Sequence, residues 1–420
     1  LFLFDEKFNV VFNNSKKFEE IKDDDGFPCD DIEAIENWIQ NQIKTIQETG
    51  NFKIKAINFT THGASLLFLN KEGKRITPLY NYLKPLDLDD FENLYKTNGG
   101  VEEFSRKTAS PAYGMLNTGI QMLSLKANKP KIWNQVDAIL HYPQYLSYLF
   151  TKKITADFTS VGAHTATWDF DTMQYHSWLK DENINLPEPC KGNEAVMAVI
   201  NGENIAVGTG LHDSSSSIIP ILAKEKGNDF VLLSTGTWII AMNPFSKETL
   251  TQEQLKNNCL CFMTPEKQQV KSSMQFLGRI HEVYLKELSD YFKVDLNTHL
   301  DLVLSNPLCN ELIEENATIF LSEGIDTDFE AHHEILHKFP SYESAYYQLV
   351  YEICKKVISG IDLITDKDAK ITKVYISGGF NRNKVFVNFL SLLKPSVTIK
   401  MSDVKNESAL GAALLMKNYL

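Results

Sequence analysis

Arginine is scarce in this 420-residue chain: only Arg75, Arg106, Arg279 and Arg382 are present. Acidic residues outnumber basic ones 54 to 42, for a formal net charge of −12. A nucleic-acid backbone or an anionic membrane needs a basic face, so neither is expected as a partner. An anion site has to be built locally, from backbone amides, hydroxyls and a divalent cation rather than an arginine clamp. The six cysteines (Cys29, Cys190, Cys259, Cys261, Cys309, Cys354) contain no Cys-x-x-Cys pair, which removes the commonest redox and zinc patterns and points to reduced thiols. No apolar run approaches the length of a membrane span. The opening Leu1-Phe2-Leu3-Phe4 meets Asp5 and Glu6 at once, unlike a signal peptide. A cytoplasmic protein is expected, and 43% hydrophobic residues suffice for the packed cores of two or three domains.

The densest chemical signal lies mid-chain. The apolar run Phe230-Val231-Leu232-Leu233 reads as a buried strand leading into Ser234-Thr235-Gly236-Thr237-Trp238, and Ile239-Ile240-Ala241-Met242 returns before Asn243-Pro244 stops it. A glycine at the tip lets backbone approach an anion, successive N–H groups form a nest, and three hydroxyls add donors. This is a phosphate-binding hairpin, or else an ordinary turn rich in small polar residues.

Flanking segments give an α/β pattern in two halves. Leu1–Phe4 and Val10–Phe12 read as strands, and a chain opening inside a sheet, without Met, is expected to have its natural N-terminus upstream. Asp31–Glu48 has helical spacing, Ile54–Phe59 and Ala64–Leu69 read as strands, and Asn70-Lys71-Glu72-Gly73 reads as a hairpin turn. Between the two strands lies Thr60-Thr61-His62-Gly63, at the strand end where open α/β sheets place ligands. Tyr113–Leu149 looks mostly helical, broken by Pro130 and Pro143. Strands at Ala195–Ile200 and Ile205–Val207 lead to Gly208-Thr209-Gly210-Leu211-His212-Asp213, then a serine run. The charged stretch Lys224–Asp229 marks a boundary, giving domains 1–226 and 227–420. In the second, Ser344–Gly360 is an amphipathic helix, Ile371–Ile376 a strand ending in Ser377-Gly378-Gly379, Asn383–Leu393 a helix, Val397–Ile399 a strand and Ser408–Leu415 a closing helix with small residues.

Collectively, Gly208–Asp213, Leu232–Asn243, Val374–Asn383 and Glu407–Ala413 resemble the FGGY carbohydrate kinases, and Lys126–Thr151 extends the likeness over nearly the whole chain. The resemblance implies two actin-like, ribonuclease H-like ATPase domains flanking a cleft, with sugar on the first and Mg·ATP on the second. It implies an Asp-x-Gly-type phosphate turn just before residue 1, so the chain as it stands is expected to be incomplete for catalysis. Asp213 is then the general base that takes the proton of a sugar hydroxyl, or an N-cap for the next helix. His62, with Thr61, Gly63 and His212, is implied on the sugar, the other reading being a satisfied buried histidine. Ser234, Thr235, Gly236 and Thr237 are implied on the phosphates, and Gly378 and Gly379 on the adenosine. Asn381 and Asn383 either contact the nucleotide or cap a helix. Thr159–Asp169, with Gly162, His164 and Trp168, fits the rhamnulokinase, fuculokinase and xylulokinase neighbourhood. The implied substrate is therefore a ketose such as L-rhamnulose, L-fuculose or xylulose, and a homodimer is compatible with this reading.

Two other classes remain. The same fold serves a catalytically idle nucleotide- and sugar-dependent sensor. His333-Glu334-Ile335-Leu336-His337 matches the His-Glu-x-x-His zinc-hydrolase pattern, against a solvated helix with Pro340 close behind. Cys259 and Cys261 share a strand face and read as buried structural thiols.

Overall fold

A six-stranded sheet organises the second half of the chain. Its order is Cys259–Met263, Gln269–Gln275, Ile239–Asn243, Phe230–Thr235, Lys373–Gly378 and Thr398–Met401. The computed structural model describes residues 1–87, 91–302, 306–322, 329 and 331–420. Phe230–Thr235 is apolar along its first four residues because it lies inside the sheet, antiparallel to the returning hairpin strand and parallel to Lys373–Gly378. Tyr342–Leu363 lies against the sheet, opened by a capping box between Ser341 and Ser344, with Ala345, Leu349, Ile353 and Val357 buried.

The first half holds shorter ladders. Phe2–Phe4 pairs with Val10–Asn13, and the helix Ile32–Glu48 starts where the Asp31 carboxylate accepts the Ala34 N–H at 3.0 Å. The expected strand Ile54–Phe59 is instead two pieces, Ala56–Ile57 beside Glu203–Gly208 and Thr60–Thr61 beside Leu211–His212. A second difference lies in Tyr113–Leu149. Ala138–His141 is a buried strand paired with Leu66–Leu69, set between the helices Thr118–Asn128 and Tyr142–Thr151. Pro130 and Pro143 do not break a helix; each sits in a first turn, where a missing N–H costs nothing.

Two crossing helices join the halves. On Asp213–Lys224, Ile218 and Ile221 pack with Phe230, Leu232 and Phe262 of the second half, and Ile219 packs with Leu211 and Ala412. Glu407–Leu415 crosses it so closely that a Cβ on Gly411 would lie 2.0 Å from the Ser216 carbonyl oxygen. At the outer edge, Arg106 Nη1 donates to the Leu250 carbonyl at 3.0 Å, and Gln252 Nε2 to Glu103 Oε2 at 3.2 Å. Among the described residues no helix is long and apolar enough to cross a membrane.

Candidate active site

The interrupted ladder shapes the segment that precedes Asp213. Ile57 faces Val207 but Thr60 faces Leu211, so residues 208–210 oppose only 58–59 and one residue bulges out. Gly210 supplies the conformation, with φ +87°, and a Cβ there would lie 2.5 Å from the Pro143 carbonyl oxygen. A bulge redirects the side chains beyond it. Here the redirected side chain is that of Asp213, the first residue of its helix. Its Oδ1 accepts the Ser214 N–H at 2.6 Å, the N-cap position belongs to His212, and the Asp213 side chain remains 43% exposed. The carboxylate is therefore not engaged as a helix cap.

Asp157, to which no sequence motif drew attention, supports the bulge from behind. It is fully buried and accepts from Gln144 Nε2 at 2.9 Å, Thr159 N at 2.8 Å, Ser160 N at 3.0 Å and the Thr159 hydroxyl. Burial raises its pKa, and these donors oppose the rise. The Thr159 hydroxyl in turn accepts the His212 N–H at 2.9 Å, and Gln144 Nε2 reaches the Thr209 and Gly210 carbonyls at 3.2 and 2.9 Å. Asp157 caps the short helix Phe158–Val161, and its link to residues 209–212 comes from the fold rather than from neighbouring sequence.

Thr61 lies opposite His212, which brings the predicted sugar-side residues together. A Cβ on Gly63 would sit 3.3 Å from His212 Cδ2. The Thr61 hydroxyl donates to the His62 carbonyl at 2.8 Å, His62 Nε2 meets Ser65 Oγ at 3.1 Å, and the His62 ring lies 5.5 Å from those of Tyr82 and Tyr142. His212 is buried, with Nδ1 3.2 Å from Ser215 Oγ and Nε2 3.5 Å from Asp213 Oδ1. Burial lowers the pKa of both histidines while the Asp213 charge pulls them back up. His141, buried beside them, is pushed down to about 4 by desolvation, with His212 adding to the effect. His164 reaches the second half, its ring 4.8 Å from Phe262.

The predicted nucleotide-side segments are neighbours too. Ser234 pairs with Ser377 and Thr235 with Gly378, so both turns emerge from adjacent parallel strands. The Thr235 hydroxyl is committed internally: it donates to the Ser377 carbonyl and accepts the Phe380 N–H at 3.1 Å. Gly378 has φ +83°, and a Cβ there would lie 2.0 Å from the Thr235 carbonyl oxygen. Gly236 has open space where a Cβ would project, and Gly236 and Thr237 are not buried. The tip rests on the start of the helix Leu277–Phe292, where Arg279 N donates to the Thr237 carbonyl at 2.9 Å. Asn381 Nδ2 donates to the Ser402 carbonyl at 3.0 Å. Asn383 caps the helix Lys384–Leu393, accepting the Phe386 N–H at 3.1 Å while donating to the Tyr346 hydroxyl at 2.7 Å. Both ends of the Asn383 amide thus have protein partners.

The His-Glu-x-x-His segment does not form a metal site. His333–Lys338 is a 3₁₀ helix, on which residues four apart point about 120° from each other. His333 Nδ1 pairs instead with Glu287 Oε2 at 2.8 Å. Among the described residues, the one convergent group of three side chains able to ligate a metal is Asp23, Asp24 and Asp25, which Lys84 and Lys129 already neutralise. The zinc-hydrolase alternative at His333, Glu334 and His337 therefore does not hold. Cys259 and Cys261 are fully buried, their thiols pushed up to about 11 and 12 by desolvation, as structural thiols require.

Known proteins share this architecture. A carbohydrate kinase from Novosphingobium aromaticivorans superposes with a TM-score of 0.78 at 18% identity, over 100% of this chain and 91% of that one. A ligand-bound xylulose kinase from Lactobacillus acidophilus gives 0.78 at 16% identity, over 100% and 86%. The shared fold is that of two actin-like ATPase domains. In sequence, a rhamnulokinase from Yersinia pestis is 23% identical over 312 residues, which is 72% of this chain and 62% of the relative. One from Halalkalibacterium halodurans is 26% identical over 239 residues, or 53% and 49%. The chain thus spans about half to three-fifths of the curated relatives it matches. The N-terminal domain of the FGGY family of carbohydrate kinases matches residues 1–220, more than half of the chain, and the chain belongs to that family.

Proposed function

We propose that the protein transfers the γ-phosphate of Mg·ATP to a hydroxyl of a ketose, of the kind that rhamnulokinases and xylulokinases take. The observation that carries the reading is the bulge at residues 208–210, which sets Asp213 beside the Thr61-His62-Gly63 turn with its carboxylate still open to solvent. A sugar hydroxyl held there by His62 would surrender its proton to Asp213 as it attacks phosphorus. His62, whose pKa burial lowers and whose Nε2 meets Ser65 Oγ, would turn its other ring nitrogen to a sugar oxygen, while His212, both of whose ring nitrogens have protein partners, would back the turn.

On the other side, the open surface at Gly236 and Thr237 and the Gly378-Gly379 turn are the shelf for phosphates and adenosine. Backbone N–H groups and the start of the helix Leu277–Phe292 supply the positive potential that a chain with four arginines otherwise lacks. Magnesium would arrive with the nucleotide and supply neutralisation of the phosphate charge. Closure of the halves would exclude water from the phosphoryl donor.

A panel of ketoses and polyols, read by sugar-stimulated ADP release, tests the assignment. Release with a ketose, absent with buffer alone, is expected. Nucleotide binding with no stimulation by any sugar would turn the reading into that of a sensor.

A further inference from the structure

Resting on the kinase reading, we propose that Asn58 is a positioning residue that fixes the aim of Asp213 and couples it to the second half of the chain. The bulge deprives the Gly210 N–H of a ladder partner. Asn58 Oδ1 accepts it at 3.1 Å while also accepting the Phe59 N–H at 2.9 Å. At the other end of the same amide, Asn58 Nδ2 donates to the Ala412 carbonyl at 3.0 Å. Two N–H donors on one side and a carbonyl on the other fix which end of the amide is oxygen. Gly208 leaves the space: a Cβ there would lie 2.5 Å from Asn58 Cγ.

Ala412 belongs to the helix Glu407–Leu415, and that helix begins at the nucleotide side. Glu407 Oε1 accepts the Ser402 hydroxyl at 3.1 Å, and Ser402 in turn is tied to the Ser377-Gly378-Gly379 turn on both sides, its N–H donating to the Ile376 carbonyl at 2.8 Å and its carbonyl accepting from Asn381 Nδ2 at 3.0 Å. Ser216, three residues beyond Asp213, donates to the Ser408 carbonyl at 2.7 Å, and Gly411 lies against its backbone. A contiguous set of hydrogen bonds and one rigid helix therefore runs from the Ser377-Gly378-Gly379 turn to Asn58, then to Gly210 and Asp213. Movement of the helix when nucleotide binds would reach the bulge through Asn58 and the Asp213 helix through Ser216. Aspartate would keep the bonds to Gly210 and Phe59 but set an oxygen against the Ala412 carbonyl. Alanine keeps neither side.

The test compares wild type, Asn58→Ala and Asn58→Asp as folded full chains. Asn58→Ala should lower kcat by about 10–100-fold, the cost of a misplacement of ~1 Å, with the sugar KM nearly unchanged. Asn58→Asp should retain more of kcat but lose synergy, so that the β,γ-imido analogue of ATP no longer tightens sugar binding. Hydrogen exchange at the Gly210 amide should accelerate in Asn58→Ala and stay slow in Asn58→Asp. Wild-type kcat and synergy in both variants, or unchanged Gly210 exchange in Asn58→Ala, overturns the inference. If wild type itself releases no ADP with any sugar, the kinase reading fails, and the exchange and synergy measurements still decide the role of Asn58.

Discussion

The Phe380 amide donates to the Thr235 hydroxyl at 3.1 Å, and that hydroxyl gives its own proton to the Ser377 carbonyl. The last side chain of one strand thereby ties down the turn at the end of its neighbour. Thr235→Val removes both bonds and leaves the buried Phe380 N–H unsatisfied, at a cost of about 1–3 kcal/mol. A lower Tm and a raised KM for ATP are expected together, and Thr235→Ser should restore both. A loss of turnover alone, at unchanged Tm, would mean that Thr235 serves the phosphates directly.

The two glycine turns separate folding from function. Gly378→Ala places a methyl against the Thr235 carbonyl in a left-handed backbone and should destabilise by about 1–3 kcal/mol. Gly236→Ala meets no atom within 4 Å, so the Tm should hold while kcat/KM for ATP falls. Thermal unfolding alongside ATP kinetics reads the contrast. Equal effects on stability would remove Gly236 from the phosphate shelf.

Asp213→Asn keeps the oxygen that accepts the Ser214 amide and removes the proton acceptor. Turnover should drop at least ~10²-fold with sugar and nucleotide binding retained, as isothermal calorimetry would show. Near-normal turnover in a folded variant would reassign the base.

The buried histidines predict acid sensitivity. His141 and His281 are held near 4 and 3 by burial, below the ordinary value of about 6.5. In the unfolded chain both take up protons as pH falls through about 6.5, and in the folded chain neither does until near 4. Stability should therefore rise with pH across that window, by about 2 kcal/mol per histidine between pH 5 and pH 7. Urea unfolding at both pH values should show this slope, and His141→Gln should lower it by one proton. A slope unchanged in the variant would mean that His141 protonates freely in the fold.

Much of this was legible in the chain itself, where local pattern and structure agree. The run from Phe230 to Asn243 carries its own alternation of strand, glycine and strand, and Asp31 and Asn383 announce helix starts by chemistry confined to a few residues, whereas the helix read from Ser344 begins at Tyr342 behind a Ser341 cap. What escaped was set by distant partners. Ala138-Ile139-Leu140-His141 is too short and too uniformly apolar to betray a strand, and only pairing with Leu66–Leu69 decides it. The bulge at 208–210 exists only relative to residues 58–59. The amide of Asn58 and the carboxylate of Asp157 gain their meaning from Gly210, Gln144 and Ala412, none of them adjacent in sequence. His333 and His337 failed for the opposite reason: the spacing was right, but the backbone wound too tightly to align them.

The bond from Asn58 to Ala412 joins residues 354 apart. Leu211 and Ile219 likewise find their apolar cover in Ala412, and the Ala195 N–H meets the Tyr419 hydroxyl at 3.2 Å. A ribosome delivering this chain in order produces the first half long before the helix Glu407–Leu415 that packs on it. That half must wait, with its Asp213 turn unbraced, while the strands and helices of the second half emerge. Native closure therefore depends on loop entropy settled late, the situation that slows folding and exposes nascent intermediates to chaperones.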